Sequence, residues 1–279
     1  MTAAAPAAER KSSFFLGFLL LPPEKRAALS AVYAYCRLID DIVDEGQSKE
    51  KAREELDFWR SEVGKIYLGT AEHPVARDLI GPVKTYGIPK EELLQMIRGC
   101  ALDLEETRYE TPADLESYTR GVAGSVGIMC ARIFGPQHMP KERVDEFAVA
   151  FGHAFQLTNI IRDVGADLEL GRVYLPDADL RAAGLSTERL RERVHDPAFV
   201  KAMEVQYRRA KEHYAKGRAL VDRRDRGALA PAEVMAHVYE GLLDDIRAGG
   251  FRVLHGKTTL SKPRKLWLAF RGWLYSHGL

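Results

Sequence analysis

Apolar residues recur along most of this 279-residue chain at intervals of three and four, the spacing that lines one face of an α-helix. No convincing series of alternating strands interrupts them. Pro23 stands where a helix would begin, and "EKRAALSAVYAYCRLIDDIVDE" carries that helix to Gly46. Further helices are predicted over residues 48–69, 74–87, 89–107, 111–135 and 141–169. Past a loop over 171–184, others follow over 186–194, 197–224, 231–250 and 263–276. The apolar run "FFLGFLLL" ends at Pro22 and falls far short of the ~20 residues a membrane-spanning helix needs. It predicts a core helix instead. Short Pro/Gly loops join these segments, without a long linker or a fixed-period repeat. The pattern predicts one all-α domain over residues 12–279 behind a mobile tail over 1–11, with ligand sites between helices facing a central cavity.

Two of the predicted helices carry acids where a core stripe would be apolar. Asp40 and Asp44 stand four apart, so they share a face with Tyr33 and Arg37, while Asp41 and Glu45 lie about a quarter turn away. Like charges at this spacing weaken an isolated helix by roughly 0.2–0.5 kcal/mol. A solvated surface would tolerate them, and a bound cation would turn them into a site. The same spacing at Glu240 and Asp244, with Arg247 near, is read as a surface pair.

The second acidic stretch is harder to explain as solvation. Asp163 and Asp167 share a stripe with Gln156 and Asn159, amid Phe151, Phe155, Leu157, Ile160 and Ile161. Arg162 lies off that stripe, and Arg172 and Tyr174 follow the helix end. Carboxylate and amide oxygens suit hard ions such as Mg²⁺, which takes one or two carboxylates and completes its shell with water and substrate phosphate. Arginine meets phosphate oxygens directly. The chemistry implied is ionisation of a diphosphate ester, with metal ions stabilising the departing charge and an apolar cavity shielding the carbocation from water.

Composition narrows the field. Lysine and arginine number 41 against 40 acids, a balance that argues against nucleic-acid binding. Cys36, Cys100 and Cys130 are odd in number and lack a CxxC pair, which disfavours a disulfide framework or zinc site and fits a cytoplasmic protein. His153 is read as a hydrogen-bonded core histidine. Asp103, Glu105 and Glu106 are read as a solvated face. Gly121, Gly124 and Gly127 follow no strand and so form no dinucleotide fingerprint; they predict close backbone approach within a helix.

The stretches "YAYCRLIDDIVDE" and "QLTNIIRDVGADLELGRVYLP", in this order, resemble the two aspartate-rich motifs of the squalene and phytoene synthases, and the likeness runs from "SSFF" to "SKPRKLWLAFRGW". The resemblance implies an isoprenoid-synthase helical bundle and a prenyltransferase that joins two identical allylic diphosphates head to head. It implies that Asp40, Asp44, Asn159, Asp163 and Asp167 hold two or three Mg²⁺ ions, and that Arg37, Arg162 and Arg172 contact diphosphate. Ser13, Tyr33, Val122, Gly127, Gln156 and Tyr174 would bind substrate, with Tyr118, in "YTRGVAGSVG", near the reacting carbons. The opening 34 residues from Ser12 are similar to bacterial presqualene diphosphate synthases of hopanoid pathways, and many phytoene synthases have tryptophan where Tyr35 stands. The expected reaction is therefore condensation of two farnesyl diphosphates to presqualene diphosphate. Continuation to squalene, NADPH use, and a phytoene or dehydrosqualene product stay open.

Two rivals are weighed against this. Head-to-tail elongating enzymes and terpene cyclases use the same diphosphates but usually carry a compact DDxxD cluster. A non-enzymatic helical scaffold would use its acids only for solubility. No obligate protein partner is evident. At the end of the chain, Leu266, Trp267, Phe270, Trp273 and Leu274 fall along one side of a helix, with Lys262, Arg264, Lys265 and Arg271 near the other. Such a helix either packs on the core or gives the enzyme peripheral contact with an anionic membrane.

Overall fold

A computed structural model describes residues 17–18, 20–44, 48–105 and 108–279. The tail over 1–11, Ser13, Glu45 and Glu106 lie outside them. Of the predicted first core helix, Gly17 and Phe18 are helical and Phe18 is buried.

The described residues form helices and no strands. Helix α1 (Pro23–Asp44) has proline in its first turn and buries Ala28, Leu29, Val32, Tyr35, Ile39 and Ile42, a stripe at the three-and-four spacing. Helix α2 (Lys49–Leu68) is capped by the Ser48 hydroxyl, which accepts from the Lys51 amide, and ends at Gly69 in the left-handed region. Helices α3 (Pro74–Tyr86) and α4 (Lys90–Ala101) follow. Here the structure departs from the pattern. The helix predicted to reach residue 107 stops at Ala101 and continues as a 3₁₀ turn, Leu102–Leu104.

The next predicted helix, 111–135, is three pieces. A Thr111/Asp114 capping box starts α5 (Pro112–Thr119), a π-helical turn spans Arg120–Gly124, and α6 (Ser125–Phe134) completes it. Arg120 in that turn makes two parallel bonds to Glu92 on α4, both 2.8 Å. The glycines predicted to allow close approach do so here: a methyl group on Gly152 would stand 2.7 Å from the Gly124 Cα.

Helix α7 (Lys141–Glu169) is the central rod and matches its predicted span. The stretch 171–184, read as a loop, contains α8 (Asp177–Ala183), followed by α9 (Thr187–Arg191). Asp196 then caps α10 (Pro197–Leu220), which lies along α7; α11 (Ala230–Ala248) also packs on α7, and α12 (Lys262–His277) lies on α11. The core is one continuous apolar cluster running from Phe18 to Leu254, with a satellite between α11 and α12. No helix among the described residues is long and apolar enough to cross a membrane.

Candidate active site between two acidic helices

Helices α1, α6, α7 and α11 and the π turn enclose a cavity of about 600 Å³. Its interior is lined by Met96, Phe134, Phe147, Phe151, Phe155 and Met235, and its polar residues come from both acidic stretches. From α1 come Tyr33, Arg37, Asp40 and Asp44; from α7 come Gln156, Asn159, Arg162, Asp163 and Asp167. Tyr118, Val122, Gly127, Arg172 and Tyr174 also line it. Every described residue predicted for the site thus reaches one cavity. Asp41 does not, as its quarter-turn offset requires; it pairs with Arg37 at 2.6 Å, while Arg37 lies 3.5 Å from Asp40.

The two helices are bridged electrostatically. Arg172 donates to Asp44 at 2.8 Å and to the Val43 carbonyl at 3.4 Å. Its placement follows from the end of α7, where the Arg172 amide bonds the Asp167 carbonyl at 2.8 Å and folds the chain back over the last turn. Arg162, predicted off the stripe, turns toward it, and its Nε lies 3.0 Å from Asp163.

Burial crowds these charges. Asp40 is pushed up to about 6, by burial first and then by Asp44. Asp167 is pushed up to about 7, by burial and then by Asp163. Burial would raise Asp163 as well, but its bonds to Arg162 and Lys257 outweigh that and hold it below the usual carboxylate range. Burial opposes the charge on Arg172, yet its bond to Asp44 keeps it above the ordinary arginine value.

Two cavity residues were missed. Asp103, read as part of a solvated face, lines the cavity and accepts from Tyr118 at 2.9 Å and Tyr174 at 2.8 Å. Burial raises its carboxyl, against the pull of both hydroxyls. The two rings stack with centroids 5.1 Å apart, and Tyr109 packs on both. Its neighbour Glu105 is exposed, as read, and pairs with Arg53. Only the end of α4 and the 3₁₀ turn after it separate Asp103 from that face, and neither is visible in the spacing of acids. The second is Lys257, in the loop before α12, whose ammonium lies 3.0 Å from Asp163. Nothing in its own sequence surroundings marks it.

Other readings are settled by their partners. His153 is buried and hydrogen-bonded to the Thr119 hydroxyl at 2.6 Å, and burial lowers it to about 4. Glu240 and Asp244, expected on the surface with Arg247, instead meet cations of α10. Glu240 pairs with Lys211 and Arg218, Asp244 with Lys211, and Arg247 turns away to Glu204. That helix face needs no metal, because the chain supplies its own countercharge.

The donors at the cavity suit a hard divalent ion. The Asn159 carbonyl oxygen is buried without a hydrogen-bond partner, on the same helix face as Asp163, and Asn159 lines the cavity with the raised carboxylates of α1 and α7. No three carboxylate, histidine or cysteine side chains among the described residues converge into a ready-made cage. Mg²⁺ does not need such a cage, since it takes one or two carboxylates and completes its shell with water and phosphate.

Comparison with known proteins meets this geometry. The sequence profile of the squalene/phytoene synthases matches residues 7–264. The chain is 33% identical to the presqualene diphosphate synthase of Zymomonas mobilis, over 94% of this chain and 89% of that one. It is 32% identical to the 15-cis-phytoene synthase of Synechocystis, over 96% of this chain and 82% of that one. Among solved structures it is similar to a dehydrosqualene synthase in complex with ligand, with a TM-score of 0.84 and 29% identity, covering 98% of this chain and 94% of that one. It is also similar to the squalene synthase HpnC of Alicyclobacillus acidocaldarius, with a TM-score of 0.75 and 30% identity, covering 85% and 89%. With both acidic stripes on one cavity of an isoprenoid-synthase bundle, the chain belongs to the squalene/phytoene synthase family of prenyltransferases, which condense prenyl diphosphates head to head.

Proposed function

We propose that this enzyme joins two farnesyl diphosphates into presqualene diphosphate. The observation that carries the reading is the meeting of the α1 and α7 carboxylates on one cavity whose interior is apolar and aromatic. Asp40, Asp44, Asn159, Asp163 and Asp167 would hold Mg²⁺. When bound, the metal neutralises diphosphate charge and makes it a better leaving group.

The chain's own residues do the rest. Arg37, Arg162, Arg172 and Lys257 line the polar end, where they would bind phosphate oxygens and retain the released diphosphate. The allylic C–O bond of the first substrate breaks, and the double bond of the second captures the cation. Loss of a proton then closes the cyclopropane. Phe147, Phe151 and Phe155 keep water from the cation, and the stacked rings of Tyr118 and Tyr174 offer it electron-rich faces. Asp103 fixes both phenol hydroxyls and so fixes the rings.

A second reading has support from the relatives, which include phytoene synthases and a dehydrosqualene synthase. The tyrosine that favours the presqualene reading does not touch the substrate space: Tyr35 is fully buried, bonds the Leu93 carbonyl at 2.8 Å and packs edge-on against Trp59. Its preference is one of family likeness, without a contact behind it.

The test incubates the protein with Mg²⁺ and either farnesyl or geranylgeranyl diphosphate, with and without NADPH, and identifies products by mass. Presqualene diphosphate from farnesyl diphosphate is expected, and squalene appearing only with NADPH would extend the reaction. Phytoene from the longer substrate would replace the first reading with the second. Farnesol or unreacted substrate in every arm would overturn coupling altogether.

A further inference from the structure

Among the described residues, helix α12 is held by one face only. Leu268, Ala269, Gly272 and Ser276 are buried, and the first two join Val234 and Val238 of α11 in the satellite core. The seat is close: a methyl group on Gly272 would stand 2.8 Å from the Val234 Cα, and one on Gly241 would strike Leu268. The rotation of α12 is therefore fixed. At 100° per residue, its opposite face carries Leu266, Trp267 and Phe270. These are 58%, 55% and 49% exposed. The Trp267 and Phe270 ring centroids lie 6.1 Å apart, and Phe270 stacks on Trp273, so the apolar strip is continuous for two turns. Tyr275 is not part of it, since Arg218 and Arg226 cover its ring.

Charge identifies what covers this strip. Helix α12 contains Lys262, Arg264, Lys265 and Arg271 and no acid. Arg264 turns back to Asp245. Lys262 and Arg271 flank the strip on either side, and neither has an ion-pair partner among the described residues. Two copies of this chain paired along α12 would set cations against cations with no carboxylate between them. An anionic surface answers both features, taking the aromatic side chains into its apolar margin and the cations at its headgroups.

We infer that α12 docks the enzyme on an anionic lipid bilayer, lying in the interface with Leu266, Trp267 and Phe270 inserted and Lys262 and Arg271 at the headgroups. The docked helix rests on α11, whose Ala232 and Met235 line the cavity, so two helices, α12 and α11, separate the bilayer from the space assigned to substrate. This inference does not depend on which prenyl diphosphate the cavity takes.

The test uses the full chain with vesicles of phosphatidylcholine alone or mixed with phosphatidylglycerol, at ~150 mM salt, where only short-range charge effects survive. Co-sedimentation with the mixed vesicles is expected, with weaker binding to phosphatidylcholine alone and quenching of Trp267 by brominated lipid. Trp267→Ser with Phe270→Ser should lower the bound fraction about tenfold. Lys262→Glu with Arg271→Glu should abolish the phosphatidylglycerol preference, and all four side chains are exposed enough to leave the thermal melt unchanged. Failure of the parent to bind mixed vesicles would overturn the inference. So would undiminished binding by the Trp267/Phe270 variant, or a dimer in solution that this variant dissociates.

Discussion

Arg172 and Asp44, 128 residues apart in sequence, meet at 2.8 Å and join the end of one acidic helix to the loop beyond the other. The pair is partly open to solvent, at 22% and 40% exposure, so as a structural tie it contributes no more than about 1 kcal/mol. Its position on the cavity supports the proposed contact with phosphate instead. Arg172→Gln is expected to lower turnover about 10²–10³-fold, the usual cost of losing one charge-stabilising donor. Steady-state kinetics beside a denaturant melt would separate the two roles. A variant that loses stability in step with activity would show Arg172 to be a clasp only.

Asp103 makes a different prediction, because it touches both tyrosines and neither acidic stripe by hydrogen bond. Asparagine at this position keeps the volume but accepts well at only one of its two side-chain atoms. Asp103→Asn is expected to release one ring and reduce kcat by about 10²-fold with little change in KM. An unchanged kcat would remove Asp103 from the machinery. A raised KM with unchanged kcat would make it a wall of the binding site.

The acidic stripes were legible because helix geometry translates spacing directly into facing: Asp40 and Asp44 turn toward the cavity and Asp41 does not. The length of α7 was legible for a related reason, since its periodicity runs unbroken between Pro140 and Gly171. Asp103 was not, because its orientation depends on where α4 ends, and propensity does not mark the change from α-helix to 3₁₀ turn at Ala101. The π turn at Arg120–Gly124 was hidden likewise: the apolar pattern continues through it, and what selects it is tertiary, the Glu92 fork and the glycine contact with α7. Lys257 reaches Asp163 across a loop, a long-range pairing that no local pattern encodes.

That glycine contact is testable through stability alone. The absent Cβ of Gly152 faces backbone, the Gly124 Cα at 2.7 Å, so no flexible side chain can give way. Gly152→Ala is expected to destabilise the fold by about 1–3 kcal/mol despite alanine's better helix propensity. Gly64, on α2, meets nothing nearer than the flexible Lys90 ammonium at 3.9 Å and serves as the control. Gly64→Ala is expected to stabilise the protein by up to about 1 kcal/mol. Chemical denaturation of both variants checks the pair, and equal effects would dismiss the packing argument.

Metal affinity should carry the signature of the two raised carboxylates. Burial pushes Asp40 up to about 6 and Asp167 up to about 7, both above the ordinary 3.8. The folded state therefore binds more protons than the unfolded chain between about pH 4 and 7, and these two groups contribute less stability as pH rises through that window. A divalent ion needs both ionised, so below about pH 7 it must displace their protons. Its apparent affinity should then fall as pH drops from 8 to 6, by up to about tenfold per unit for each proton displaced. Melts of the substrate-free protein with and without Mg²⁺ should show a larger metal-induced rise at pH 8 than at pH 6. In Asp40→Asn with Asp167→Asn, the rise and its pH dependence should both shrink. An equal rise at both pH values in the parent would show that the metal binds without these carboxylates.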